Sequence, residues 1–157
     1  MDKSTFLRLV NTSWRMRLFL LRKLPSAWFM GISVVQCDGI GCTVSLPYRW
    51  QSQNPFRSIY FAAQCAAGEL STGLLAMTAL QDRPHISMLV TRIEAEFLKK
   101  SAAKLLFTCT AGTEVDATVA ETLKREDAQT LRMESTGCLP DGTVAARVWI
   151  TWSFKRK

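Results

Sequence analysis

Residues 54–82 read NPFRSIYFAAQCAAGELSTGLLAMTALQD, and between Arg57 and Asp82 they hold one formal charge, Glu69. Asn54-Pro55 has the form of a helix start. Asn caps well, Pro suits the first helical position, and the residue before a proline is held in the extended region a cap requires. The pattern predicts one helix over about 55–80, with a bulkier stripe of Phe56, Tyr60, Ala63, Ala67, Leu70, Leu74 and Met77. At about 100° per residue, Glu69 falls on another face, with Ser58, Phe61, Cys65, Ala66, Thr72, Gly73 and Ala76. The mostly small side chains there let another backbone or a ligand come close. A carboxylate on an apolar helix is costly to bury unpartnered, and burial lifts its pKa towards the range useful for acid–base chemistry. The plainer alternative is a Glu on the helix's solvent side.

The chain has 157 residues, enough for one domain (1–157) with a sizeable core. Its 48% hydrophobic and 21% charged content is that of a soluble globular protein. A net charge of +7 favours anionic partners, but the bases are dispersed apart from Arg15, Arg17, Arg22 and Lys23 and the closing Lys155, Arg156 and Lys157. No recognised nucleic-acid motif accompanies them, so nucleic acid is not an expected partner. Five cysteines without a C-x-x-C and a single histidine, His85, make a metal site unexpected. Cys37, Cys42, Cys65, Cys109 and Cys138 read as buried small hydrophobes in a reducing, cytoplasmic setting. His85 reads as a strand-entry residue. Arginines interrupt any apolar core of a secretory signal. Residues 58–81 are long enough to tempt a membrane-spanning reading, but Glu69 would fall at mid-membrane.

Around the helix the pattern is mostly extended. Residues 4–23 form a basic amphipathic helix, with Phe6, Leu9, Val10, Trp14, Leu18 and Leu21 at three- and four-residue spacing, ended by Pro25. Two fates are open to it: packing over the domain, or peripheral contact with a membrane surface. Residues 30–50 read as a hairpin turning at Asp38-Gly39, with Cys42, Val44, Leu46, Tyr48 and Trp50 on one face. Residues 86–98 alternate, with Leu89, Thr91, Ile93, Ala95 and Phe97 on one side and Arg92, Glu94 and Glu96 on the other. A strand over 104–111 follows. A short helix to about Arg125 opens at a Thr113–Asp116 capping box. A closing hairpin pairs 129–139 with 143–155 around Pro140-Asp141-Gly142. The sum is an α+β domain in which a long antiparallel sheet wraps one apolar helix.

This order of elements resembles the hotdog fold, a long curved sheet around a central helix, here with an extra N-terminal helix before a core over 30–155. Thioesterases of the phenylacetate-pathway type carry an Asn, a His-Gly-Gly beginning six residues later and a catalytic Asp fifteen residues after the Asn. Asn54 plus fifteen is Glu69, and Tyr60-Phe61-Ala62 stands where His-Gly-Gly would. The segments LRKLPSAWFMG, SLPYRW, NPFRSIYFAAQCAAGELSTG and VWITWSFK are also similar to an uncharacterised hotdog domain family. The resemblance implies an acyl-CoA thioesterase acting without a cofactor on a coenzyme A thioester. Glu69 would activate water or attack the thioester, and the Phe61 amide at the helix start would polarise the carbonyl. Asn54 has two readings, helix cap and polar contact to water or carbonyl. Thr72 has two likewise, a bond to the nucleophilic water or to its own backbone. Ser58, Tyr60, Phe61, Ala62, Thr72 and Gly73 would meet substrate, and Arg57, Lys99, Lys100 and Lys104 would suit coenzyme A phosphates. The resemblance further implies a homodimer or dimer of dimers with the site at the interface. The alternative is a non-catalytic binder of acyl chains or lipids on the same fold.

Overall fold

Helix α4, Phe61–Leu80, lies at the centre of the computed structural model, which describes residues 1–83 and 85–157. Before it come α1 (Lys3–Asn11), α2 (Ser13–Lys23), α3 (Pro25–Phe29) and the hairpin β1 (Ser33–Cys37) and β2 (Cys42–Leu46). After it come β3 (Ile86–Phe97), β4 (Leu105–Cys109), α5 (Gly112–Thr122), β5 (Gln129–Cys138) and β6 (Val144–Arg156). The strands form one antiparallel sheet in the order β1-β2-β4-β5-β6-β3.

Five steps of about 4.8 Å make such a sheet roughly 24 Å wide, against about 10–12 Å for a helix with its side chains. A flat sheet would therefore meet α4 with its middle strands alone. Instead α4 touches every strand from β2 to β6, so the sheet curls around it. The inward faces supply Val44, Leu46, Leu105, Phe107, Met133, Val148, Ile150 and Phe154, all buried. The β6 alternation of Val148, Ile150, Trp152 and Phe154 is inward as its sequence pattern implies.

Small residues let α4 sit close. A Cβ added at Gly68 would lie 2.8 Å from the Val148 Cβ. One turn on, the Ser71 hydroxyl shares a 2.7 Å hydrogen bond with that of Ser135 on β5, satisfying two buried groups.

The structure corrects the sequence reading in several places. The central helix begins at Phe61, not near 55. Asn54 does not cap it; its Oδ1 accepts from the Phe56 and Ser58 amides, a local bonding pattern that competes with helix formation. Residues 54–59 thus form a loop, closed by the Gln53–Ile59 bridge, with Arg57 in the left-handed region at φ 56°. Residues 4–23 are two helices, broken at Thr12, whose extended ψ of 103° ends α1 and starts α2. Phe6 and Val10 are buried as the stripe implies, but α2 buries Met16 and Leu20 in place of Trp14, Leu18 and Leu21.

In β3 the register slips between Val90 and Arg92. Antiparallel partners share a face, so Met88 and Val90, opposite Phe154 and Trp152, face inward, as do Ile93, Ala95 and Phe97, opposite Ile150, Val148 and Ala146. Leu89 faces outward, against the simple alternation. Helix α5 starts at Gly112 without a side-chain cap, and Asp116 pairs with Arg83 at 3.1 Å rather than closing a capping box. Tyr48 and Trp50 lie beyond the end of β2, and Trp50 is exposed. His85 does precede the first residue of β3. Cys37, Cys42 and Cys109 are buried, whereas Cys65 and Cys138 are half-buried; all five are free.

Replacing Gly68 by Ala should test the close seat of α4. In an exposed helix that change stabilises by up to about 1 kcal/mol, but overpacking costs about 1–3 kcal/mol. Urea unfolding should therefore show a net loss, with Val148→Ala recovering part of it in the double variant.

Candidate active site

The proposed site residues fall into two groups along α4. The first surrounds its N-terminus. The Phe61 and Ala62 amides precede the first intrahelical acceptors, and neither donates to protein among the described residues. They therefore present the positive end of the helix dipole. Tyr60 occupies the cap position with no side-chain bond. Its amide is held by the Ser52 carbonyl at 2.8 Å, and the Ile59 amide by the Ser101 carbonyl at 2.8 Å, which fixes the entry into the helix. Asn54 serves this loop: its Nδ2 donates to the Ser58 hydroxyl at 3.0 Å, while its Oδ1 takes the two loop amides.

An open cleft of about 350 Å³ lies beside this helix start. Asn54, Ser58 and Phe61 line it, together with Lys99 and Lys100. Tyr60 and Ala62 do not. The Phe61 ring packs edge-on against Tyr60 at 4.8 Å and Phe97 at 6.1 Å. Gln64, which the sequence reading passed over, also lines the cleft. It is buried, its Nε2 donates to the Ile59 carbonyl at 3.2 Å, and its Oε1 has no partner. A buried acceptor without a donor is costly, and a ligand N–H would satisfy it. A glutamine in an alanine-rich helical turn was the available signal.

The second group is Glu69, Thr72 and Gly73. Eight residues beyond Phe61 place Glu69 about 12 Å along the axis, and it does not line the cleft. A Cβ at Gly73 would lie 3.3 Å from both Glu69 Oε1 and Trp152 Cζ2, so the carboxylate sits beside the β6 indole. Burial alone raises its pKa above the usual 4.5; no donor or cation offsets that effect. Thr72 takes the plainer of its two readings. Its hydroxyl donates to the Glu69 carbonyl at 2.9 Å and accepts from the Trp152 indole N–H at 3.0 Å. It thus fixes the ring that floors the carboxylate. No cluster of three or more metal-ligating side chains occurs among the described residues. No helix there is long and apolar enough to cross a membrane.

A six-stranded antiparallel sheet curled around one long helix, carrying a carboxylate at mid-helix, is the hotdog fold, and solved structures agree with it. A Shewanella oneidensis protein assigned provisionally to the thioesterases superposes with a TM-score of 0.76 at 15% identity, over 94% of this chain and 98% of that chain. A Chlorobaculum tepidum protein of unknown function gives 0.78 at 13% identity, over 98% and 99%. A Haemophilus influenzae thioesterase gives 0.70 at 12% identity, over 92% and 91%. At the level of sequence, residues 12–154 match the domain of unknown function DUF4442, and the chain belongs to that family. No curated protein matches the chain.

The raised Glu69 pKa has a consequence for stability. A carboxyl whose folded pKa lies above its unfolded value contributes most below the unfolded pKa, and that contribution falls as pH rises through the folded value. Glu69→Gln should therefore raise the melting temperature by a few degrees near pH 7 and leave it unchanged near pH 4, as read by calorimetry.

Proposed function

We propose that the protein hydrolyses an acyl-CoA thioester in a homodimer, with Glu69 of one protomer facing the α4 N-terminus of the other. The observation that carries the reading is Glu69 itself: a half-buried carboxylate without a donor or cation, raised in pKa by burial alone. Glu69 takes a proton from water, whose oxygen attacks the thioester carbonyl. The Phe61 amide steadies the developing oxyanion, and the C–S bond breaks as the protonated Glu69 returns its proton to the leaving sulfur, giving a carboxylic acid and the thiol. Gln64 Oε1 accepts an amide N–H from the pantetheine arm, and Lys99 and Lys100 meet the phosphates. Asn54 acts as a positioning residue that shapes the loop before the amides.

Support for the dimer comes from β3. It ends the sheet, runs 12 residues and leaves Leu89, Ile93 and Phe97 exposed. A long apolar edge is a template for a further strand, and two-fold pairing of β3 with its copy continues the sheet. Glu69 lies beside Trp152, on the strand next to β3, and so near that seam. One observation favours a second reading, a non-catalytic acyl binder. The Thr72 hydroxyl already gives its one proton to the Glu69 carbonyl and accepts from the Trp152 indole, so it has no donor left for an attacking water.

Thiol release from a panel of acyl-CoAs decides between them. The expected result is turnover that falls about 10²–10⁴-fold in Glu69→Gln, with an acid limb above the ordinary glutamate range. A co-purified acyl ligand with no turnover above the Glu69→Gln background would establish the binder. Ile93→Asp should give a monomer by sedimentation equilibrium and lose turnover with the dimer.

A further inference from the structure

Helix α2 carries an apolar face that the fold leaves unused. Met16 and Leu20 point inward, 2% and 1% exposed. At about 100° per residue, Trp14, Leu18 and Leu21 fall within about 60° of one another on the opposite side. They are 62%, 38% and 44% exposed. Arg17 borders this stripe on one flank, and Arg15 and Arg22 border it on the other. The Arg15 guanidinium lies 5.3 Å from the Trp14 ring centre. A hollow of about 320 Å³ opens between Leu9, Trp14, Leu18 and Phe19.

The charge around the stripe has one sign. No acidic residue occurs between Lys3 and Cys37, whereas Lys3, Arg8, Arg15, Arg17, Arg22 and Lys23 are all basic. Among the described residues, Arg15, Arg17, Arg22 and Lys23 form no ion pair. A second copy seated on this face would set arginines against arginines across a two-fold interface, which is repulsive. Nucleic acid would use the arginines but not Leu18 and Leu21. An anionic bilayer uses both: Trp and Leu enter the headgroup–acyl boundary while the bases meet phosphates.

We propose that α2 docks the protein on anionic lipid surfaces, with Trp14, Leu18 and Leu21 inserted and Arg15, Arg17 and Arg22 on the headgroups. The face is separate from Glu69 and from the cleft, so the proposal stands whatever chemistry the site performs.

Sedimentation of the full chain with unilamellar vesicles tests it. The expected result is binding to phosphatidylcholine containing about one third phosphatidylglycerol, absence of binding to phosphatidylcholine alone, and weakening by added salt. At about fivefold per arginine, the combined Arg15→Gln, Arg17→Gln, Arg22→Gln variant should bind on the order of a hundredfold more weakly. Trp14→Ser, Leu18→Ser and Leu21→Ser together should abolish binding with an unchanged melting temperature, since all three are exposed; the single Leu21→Ser serves if the triple variant melts early. Failure to bind either vesicle, equal binding to both, or wild-type binding by the variants overturns the proposal. So does an oligomer that the Trp14, Leu18 and Leu21 replacements dissociate.

Discussion

The close seat of α4 on the sheet is the contact on which the rest depends. A helix apolar on nearly every face has to be enclosed, and this one is covered by strands from β2 to β6. Enclosure at close range needs Gly68 under Val148 and the buried Ser71–Ser135 bond. A larger residue at 68 would lift the rod from its bed, and every group borne on α4 would move with it. Glu69, the next residue, is the first to do so. Its burial, and hence its raised pKa, is a by-product of how deeply the helix sits.

The same rod sets the distance between the two halves of the proposed site. Residues 61 and 69 stand about 12 Å apart along the helix axis, and Glu69 does not line the cleft at the Phe61 and Ala62 amides. Two copies related across the β3 edge would remove the difficulty, because each supplies what the other's cleft lacks. The structural neighbours, at identities of 12–15%, speak to the fold alone.

Much of the architecture was legible because its signals are periodic. The run around Glu69 and the alternation of β6 each repeat one message over many residues, and Pro140-Asp141-Gly142 combines three turn-forming residues in a row. Features set by a single residue were lost. Asn54-Pro55 has the composition of a helix start, yet the Asn54 side chain closes a loop instead, and nothing local distinguishes the two uses. The slip after Val90 adds one residue to an otherwise regular alternation and turns Leu89 outward. Of the candidate site, Glu69 was visible as an isolated charge. Gln64 was not, since its orphaned oxygen exists only once the Ile59 carbonyl has taken its amide.

The two ends of the sheet receive opposite treatment, and one break in the chain is responsible. At the β1 end, Asn11 donates to the Cys37 carbonyl at 2.7 Å and accepts from the Cys37 amide at 2.9 Å, taking groups a further strand would need. The helices α1 and α2 then pack on β1, while among the described residues no such pair of helices covers β3. Asn11 can do this because α1 stops there, with Thr12 extended. Had the helix run on, Phe6, Val10, Trp14 and Leu21 would have shared one inward stripe with Arg17 caught inside it, and only Arg15 and Arg22 would have fallen on a solvated face. Breaking at Thr12 re-phases α2 so that Met16 and Leu20 fill the inward side. Trp14, Leu18 and Leu21 are thereby released among the arginines. A single interruption thus blunts the β1 edge of the sheet and turns one packing face into two.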